Sequence, residues 1–308
     1  MKYRQLEAIL RRVDEHYADY PHFVKQYALT TAGIAGEEEV FYFLQELTIP
    51  HQLLRNFCLV DYTGHRHEID FIVIFSSFII CLEVKNITGQ LDFNVETSQL
   101  LRTRSDGMIE RFSNPVEQLV RHTRFLSTLF PHVPIVGAVV IANRRAIIGN
   151  HDSHIPIFHA DYIHSFIEKN LNQYTKPILD IAVFHKQLTA LHSPISKPFS
   201  FTLAHLKSGV FCAKCSVKMK FIQGKFVCSQ CHHQDKLAHF QALHDFRLLV
   251  SSKITNQQFC QLCDITSRYA AKRLLKFLPV VQQGRATYYE IPEQILTMTS
   301  YEGCISPD

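Results

Sequence analysis

The sequence predicts an α/β core followed by two small modules. Three patterns carry that prediction. Between residues 1 and 192, short runs rich in Ile, Val and Phe sit among longer segments of helical period. Two Cys-x-x-Cys pairs follow, at Cys212/Cys215 and Cys228/Cys231. Two short amphipathic stretches, a tight turn and a hairpin pattern then close the chain.

The chain has 308 residues, and at roughly 150 residues per domain about two folded bodies are expected. Apolar residues make up 46% and charged residues 19%, which allows a core and excludes a wholly disordered chain. The formal charge of +4 is unevenly spread. Residues 1–200 hold 19 Lys/Arg and 21 Asp/Glu, a net of −2, and residues 201–308 hold 13 and 7, a net of +6. The charge of +4 by itself picks no partner, and the shift falls near the Ser/Pro-rich stretch at residues 192–200. The longest uncharged apolar run, residues 71–82, is broken by Ser76-Ser77, so no segment has the ~20 apolar residues of a membrane helix. The first residues carry charges throughout and show no signal core. These features predict a cytoplasmic chain without membrane contact. Thiols stay reduced there, so nine cysteines argue for metal rather than disulfides.

In chain order, an amphipathic helix is expected over residues 3–17 and a second over 34–47. Strands follow at 52–60, 68–75 and 78–84, with a weaker one at 90–95. Residues 99–104 and 108–112 flank Ser-Asp-Gly and read as a hairpin. A helix runs over 114–130, where Pro115 suits the first turn. Residues 135–142 form a buried strand, and helices at 161–171 and 177–192 complete the core. The Ser/Pro-rich stretch near residues 192–200 reads as a linker. The expected organisation is an N-terminal helix (1–30), the α/β domain (31–192), a linker (193–207), the paired-cysteine module (208–235) and a helical module (236–308). The first helix packs either on the α/β core or on a second copy of the chain; the sequence leaves a homodimer open.

The chemistry concentrates at Asp70 and Glu83-Val84-Lys85. Side chains alternate along a strand, so Glu83 and Lys85 share one face. A hairpin about Ser76-Ser77 brings Asp70 beside them. Two carboxylates and an ammonium in one small volume are costly unless a cation compensates them. Hard oxygen donors suit magnesium, with Lys85 left to hold or help activate a water.

Asp70…Glu83-x-Lys85 resembles the core motif of the PD-(D/E)XK nucleases. The wider sequence resembles the nuclease-related domain family. The matching pieces are Gly33-Ile-Ala-Gly36-Glu37, Glu68-Ile69-Asp70, Glu83-Val84-Lys85-Asn86 with Gly89, and Asn114-Pro115-Val116-Glu117-Gln118, in that order over roughly residues 30–145. The resemblance implies a restriction-endonuclease-like fold and metal-dependent hydrolysis of phosphodiesters. It implies Asp70 and Glu83 as magnesium ligands and Lys85 as the catalytic lysine. It adds Glu37 as a further carboxylate and Gln118 as a polar site residue. The family often has Trp after the lysine strand. This chain has none, and the packing falls to Phe93 or a neighbour. Gly33 and Gly36 lack the Gly-Lys-Ser/Thr ending of a nucleoside-triphosphate loop. His67 precedes Asp70 and either sits near the site or is an exposed residue at a strand end, the latter being the expectation.

Cys212, Cys215, Cys228 and Cys231 have the spacing of a zinc ribbon: two knuckles that supply four thiolates to one structural Zn2+. Gly224 lies between two apolar-alternating runs, a hairpin pattern. Further on, residues 253–263 read as a helix capped by Thr255, 264–267 as a turn and 268–278 as a second helix capped by Ser267 and stopped by Pro279. Residues 280–283 and 286–291 about Gly284-Arg285 read as a hairpin wing. The pattern resembles a winged helix-turn-helix. Arg268, Lys272, Arg273 and Lys276 lie on its outer side as phosphate contacts, with Ser267, Arg268 and Lys272 nearest base edges. Cys260 and Cys263 repeat the Cys-x-x-Cys spacing inside a helix and read as core.

The expected function is a magnesium-dependent nuclease acting on DNA and targeted by the C-terminal modules. RNA offers the same phosphates and stays open as substrate. The alternative is a non-catalytic DNA-binding or regulatory protein built on a nuclease-like scaffold.

Overall fold

The computed structural model describes residues 2–94, 96–151, 154–193, 199–283 and 286–297. The chain forms two compact units, residues 29–195 and residues 1–28 with 196–308. Helix α1 (Lys2–Arg12) belongs to the second, and the boundary between them falls inside α2 (Tyr20–Gln45).

The 29–195 unit is α/β. After α2 come β1 (Gln52–Val60), β2 (Arg66–Ile74), β3 (Ile79–Lys85), β4 (Gly89–Asn94), β5 (Gln99–Thr103), β6 (Ile109–Ser113), α3 (Pro115–Leu129), β7 (Ile135–Ile141), β8 (Ala146–His151), β9 (Ile157–His159), α4 (Ile163–Gln173) and α5 (Ile181–Leu191). One mixed sheet has the order β1-β2-β3-β7-β9, and a second has the order β6-β5-β4-β8. In the first, β1–β2–β3 run antiparallel while β3–β7 and β7–β9 run parallel. Strand β3 is central, and its unbroken apolar run is buried on both faces, as a parallel neighbour requires. Ile79 and Cys81 join a core with Leu119 and Leu126 of α3 and Leu188 of α5. Ile80, Leu82 and Val84 join the opposite core with Val40 and Leu44 of α2 and Phe166 of α4. Phe93 is buried in the α3-side core, the aromatic contribution expected in place of Trp.

Helix α3 starts as its sequence prescribes. Asn114 Oδ1 accepts from the Val116 amide at 3.0 Å, and Pro115 occupies the first position, where no amide is needed. Gly36 has a packing role: a Cβ there would lie 2.7 Å from Asn86 Cβ, so only glycine lets α2 approach the end of β3. Asn86 Nδ2 donates to the Ala32 carbonyl of α2 at 2.8 Å, tying the same junction.

The other unit contains β10 (Val210–Phe211), β11 (Lys218–Ile222), β12 (Lys225–Cys228), β13 (Gln234–Asp235), α6 (His239–Leu249), β14 (Lys253–Ile254), α7 (Asn256–Cys263), α8 (Arg268–Leu275), β15 (Val280–Gln283) and β16 (Ala286–Glu290). Strands β10–β13 form an antiparallel ribbon, and β14-β16-β15 form a three-stranded wing. The Gly284-Arg285 turn of the wing and residues 194–198 of the linker lie outside the described residues. Thr255 caps α7 in a capping box with Gln258, and Ser267 caps α8 through the Ala270 amide.

Two expectations about this unit are revised. The ribbon and the helical module, expected as separate bodies, share one core: Met219 and Phe226 pack with Phe246, Phe259, Leu262, Leu275 and Ile291. A four-stranded ribbon this short has too little interior of its own. Residues 199–207, expected to be linker, are also packed. Phe201 and Leu206 are buried, and the Phe201 amide donates to the Leu249 carbonyl at 2.8 Å.

The N-terminal helix packs on α6, an alternative to both placements that the sequence left open. Leu6 and Ile9 are buried beside Leu248 and Leu249. Gln5 Nε2 donates to the Leu248 carbonyl at 2.7 Å. Fully buried Asp245 of α6 accepts from Arg12 Nε at 2.9 Å and Arg11 Nε at 3.2 Å, and Arg12 also donates to the Gly209 carbonyl. Removing the carboxylate leaves the buried Arg12 charge uncompensated. Asp245→Ala is expected to destabilise this unit by about 3–5 kcal/mol. Urea unfolding followed by helix content checks this, and a loss below about 1 kcal/mol contradicts it.

Candidate active site and cysteine centre

The β2–β3 ladder pairs Ile74↔Ile79 through Phe71↔Leu82 and then stops. One step on, Asp70 takes over from the ladder: its Oδ2 accepts from the Val84 amide at 2.7 Å. The in–out alternation of β2 also breaks here, since Ile69 and Ile72 join the same core. On β1 the matching position is Asn56, in the left-handed region at φ 49°. The β2–β3 ladder of the sheet thus opens at Asp70, beside the end of β3 that bears Glu83 and Lys85.

Glu83 is 1% exposed, and its Oε1 accepts from Lys85 Nζ at 2.5 Å. The alternation of β3 places both on the α3 side, with Val84 on the other. Glu83 Oε2 is buried without a hydrogen-bond partner. Burial, then the charge of Asp70, push the Glu83 carboxyl up to about 7, against the pull of Lys85 and Arg121. Burial also raises the carboxyl of Asp70, although the Val84 amide and Lys85 draw it down. Glu37, half-buried on α2, is raised by burial and then by Asp70, while Asn56 hydrogen-bonds it. The structure therefore draws Glu37, Asp70, Glu83 and Lys85 into one electrostatic neighbourhood. The three carboxylates do not converge into a set with all ligand atoms within 4.8 Å; among the described residues only the four cysteines do. Gln118 lies on α3 in a polar cleft of about 530 Å³, together with Arg121.

The donor chemistry fits a hard divalent cation. Glu83 Oε2 is an orphaned buried acceptor, and the surrounding donors are carboxylate oxygens. Asp70 and Glu83 would hold the ion, with Glu37 as the further carboxylate.

Arg121, His122 and Asn56 also belong to this neighbourhood without having been singled out by their sequence, and so does His67, for which a place near the site was the less expected alternative. Gln118, Arg121 and His122 follow i, i+3, i+4 spacing on α3, a signal that would have gathered them once Gln118 was chosen. His67 is buried rather than exposed. Its ring stacks on Phe125 with centroids 4.2 Å apart, and its Nδ1 lies 3.2 Å from His122 Nδ1. The apolar face of α3 covers this end of β2, which the strand pattern alone does not reveal. Burial, then the neighbouring charges of His67, Arg121 and Lys85, push His122 down to about 4. Its neutral form is therefore the folded one. Stability from this residue is present above pH ~6.5 and lost as pH falls from there towards 4, because the unfolded chain takes up the proton first. His122→Gln removes that titration. The variant is expected to lose less of its urea midpoint between pH 7 and pH 4.5 than the parent; an identical loss overturns the assignment.

In the other unit, the four cysteine Sγ atoms lie within 4.8 Å of one another. Cys212–Cys231 and Cys215–Cys231 are 3.5 Å apart and Cys215–Cys228 is 3.4 Å. Tetrahedral zinc with ~2.3 Å bonds to sulfur needs sulfurs roughly 3.8 Å apart, so this set can hold zinc. The Cys231 amide leads in holding Cys228 down to about 6, favouring the thiolate that a metal needs. Cys263 is buried in the core, and burial raises its thiol, as for an inert packing residue. On α8, Arg268, Lys272 and Arg273 are exposed, as are Ser267 and Lys276 at its ends.

Residues 32–142 match the family model of the nuclease-related domain. That span holds Glu37, Asp70, Glu83, Lys85 and Gln118. Among solved structures, the chain is similar to the small subunit of the heterodimeric restriction endonuclease R.BspD6I. The identity is 14% and the TM-score 0.25, over 51% of this chain and 77% of that one. No curated protein matches the chain. Among the described residues, no helix is long and apolar enough to cross a membrane.

Proposed function

We propose that this chain is a magnesium-dependent nuclease that hydrolyses DNA phosphodiesters. The observation that carries the reading is buried Glu83, with one oxygen on Lys85 and the other unpartnered, beside Asp70 at the point where the sheet opens. When bound there, magnesium supplies a Lewis acid that lowers the pKa of a water and offsets charge on the phosphate. Asp70 and Glu83 bind the ion, and Glu37 adds a third carboxylate. The Val84 amide orients Asp70 through Oδ2. Lys85 Nζ favours the ionised form of Glu83 against burial, and donates to the attacking water or to a phosphate oxygen. Gln118 orients substrate from α3. In the other unit, zinc on Cys212, Cys215, Cys228 and Cys231 holds the shared core. Arg268, Lys272, Arg273 and Lys276 contact phosphates, with Ser267 at the end of the helix nearest the bases. Four unbridged thiolates suit the reducing cytoplasm.

The test is incubation of the purified chain with linear, circular and single-stranded DNA, with and without magnesium, and with RNA as competitor. Magnesium-dependent cleavage supports the reading. Binding with no cleavage under any condition favours a regulatory protein on a nuclease-like scaffold, the reading that the incomplete convergence of the three carboxylates would suit.

A further inference from the structure

The cleft beside Gln118 contains groups that the proposed chemistry does not use. It lies between the β5–β6 hairpin and the first turns of α3 and has a volume of about 530 Å³. Its lining is polar apart from Phe112, a residue 37% exposed. Two of its residues are cations, Arg111 and Arg121, and one is a carboxylate, Glu117. The other arginines of the hairpin are engaged: Arg102 pairs with Glu110 at 3.1 Å and Arg104 with Asp106 at 3.0 Å. Arg111 and Arg121 have no such partner among the described residues, although both are exposed and Glu117 is near. Arg121 also lies close enough to the carboxylates for its charge to act on Glu83. Arg121 thus links the cleft electrostatically to Glu83.

Free guanidinium groups beside one exposed aromatic ring suit a phosphodiester chain with an accessible base face. A duplex offers phosphates, but its base faces are stacked inside; only an unpaired base can lie on Phe112. The small apolar share of the lining disfavours an apolar ligand, and the excess of cations disfavours a basic peptide.

We propose that this cleft grips a single nucleic-acid strand, with Arg111 and Arg121 on its phosphates and Phe112 against an unpaired base. The inference rests on the nuclease reading for what happens to that strand, and the substrate it names is a single-stranded or frayed segment.

The experiment measures anisotropy of a fluorescein-labelled single-stranded oligonucleotide titrated with the full chain, without added magnesium. Arg268, Lys272 and Arg273 are changed to Gln throughout, so that α8 does not mask the cleft. In that background Arg111→Gln/Arg121→Gln is expected to weaken binding at least ~10-fold. It should also flatten the slope of log affinity against log salt by about 1.4, for two single-strand phosphate contacts. Phe112→Ala is expected to weaken binding roughly 5- to 100-fold with the slope unchanged, and to leave binding of a duplex of the same length as it was. All three side chains are exposed, so the variants should melt like their parent. Unchanged affinity and slope overturn the cleft, as does absence of single-strand binding in the α8 background. Cleft-dependent binding without cleavage by the wild-type chain with magnesium retires the nuclease reading alone. Cleavage that ignores all three substitutions retires the cleft alone.

Discussion

Glu83→Gln is expected to abolish magnesium-dependent cleavage, by ~1,000-fold or more, and to leave nucleic-acid binding intact. Glutamine fills the same volume and still accepts a hydrogen bond from Lys85, so packing at the end of β3 is preserved. What it removes is the charge that would hold the cation. A loss of that size corresponds to about 4 kcal/mol of transition-state stabilisation, within what a Lewis acid supplies. Binding should persist because Glu83 is buried and offers no surface to a strand. The same variant has a second signature. In the metal-free parent, Glu83 titrates at about 7, above its ordinary 4.5. Its stabilising protonated form is present at low pH and is lost as pH rises through 7. The glutamine variant, free of that loss, is expected to unfold at higher urea than the parent above pH 7 without metal. An inactive variant that is also more stable cannot be dismissed as misfolded. Cleavage within tenfold of the parent would remove Glu83 from the mechanism.

Stripping metal from the cysteine centre is expected to unfold more than the ribbon. Cys228 ends β12 and the other three cysteines lie outside the strands of the ribbon, whose Met219 and Phe226 are packed with Phe246, Phe259 and Leu275 in one core. Structural zinc is worth on the order of 10 kcal/mol to small domains, comparable with the whole stability of one. Its removal should therefore release α6, α7 and α8 together with β10–β13. Hydrogen exchange after chelation, or in Cys228→Ser, reads this directly. Amides of Phe246, Phe259 and Leu275 should lose protection with those of the ribbon, while β3 and β7 of the 29–195 unit keep theirs. Loss of protection confined to residues 210–235 would show that α6, α7 and α8 stay folded without the ribbon.

Much of the site was legible because its signals are local. Glu83 and Lys85 are two apart on a strand, so period-two geometry alone puts them on one face. The Cys-x-x-Cys pairs, the Thr255 and Ser267 caps and Pro115 at a helix start are short-range devices that act within a few residues. Other features were out of reach because they are made at long range. Strands β8 and β9 are short and gain their pairing from β4 and β7, far away in sequence. The burial of His67 depends on Phe125 and His122 of α3. Packing of residues 199–207 and of α1 depends on α6, with Asp245 meeting arginines more than 230 positions away.

Residue order and spacing were enough to define an α/β core with an acidic–lysine centre, four metal-ready cysteines and a basic two-helix motif, because each rests on a repeat or a short spacing. Which carboxylate oxygen is left unpartnered, where the sheet opens, and which modules share a core followed from contacts between distant segments. Those contacts are set by burial and by pairing of polar groups that no local pattern records. The division of the molecule follows the same logic: the sequence reading placed its boundaries at changes of composition, whereas the folded chain places them where contacts are sparse, so the first 28 residues join the last 113 in one unit.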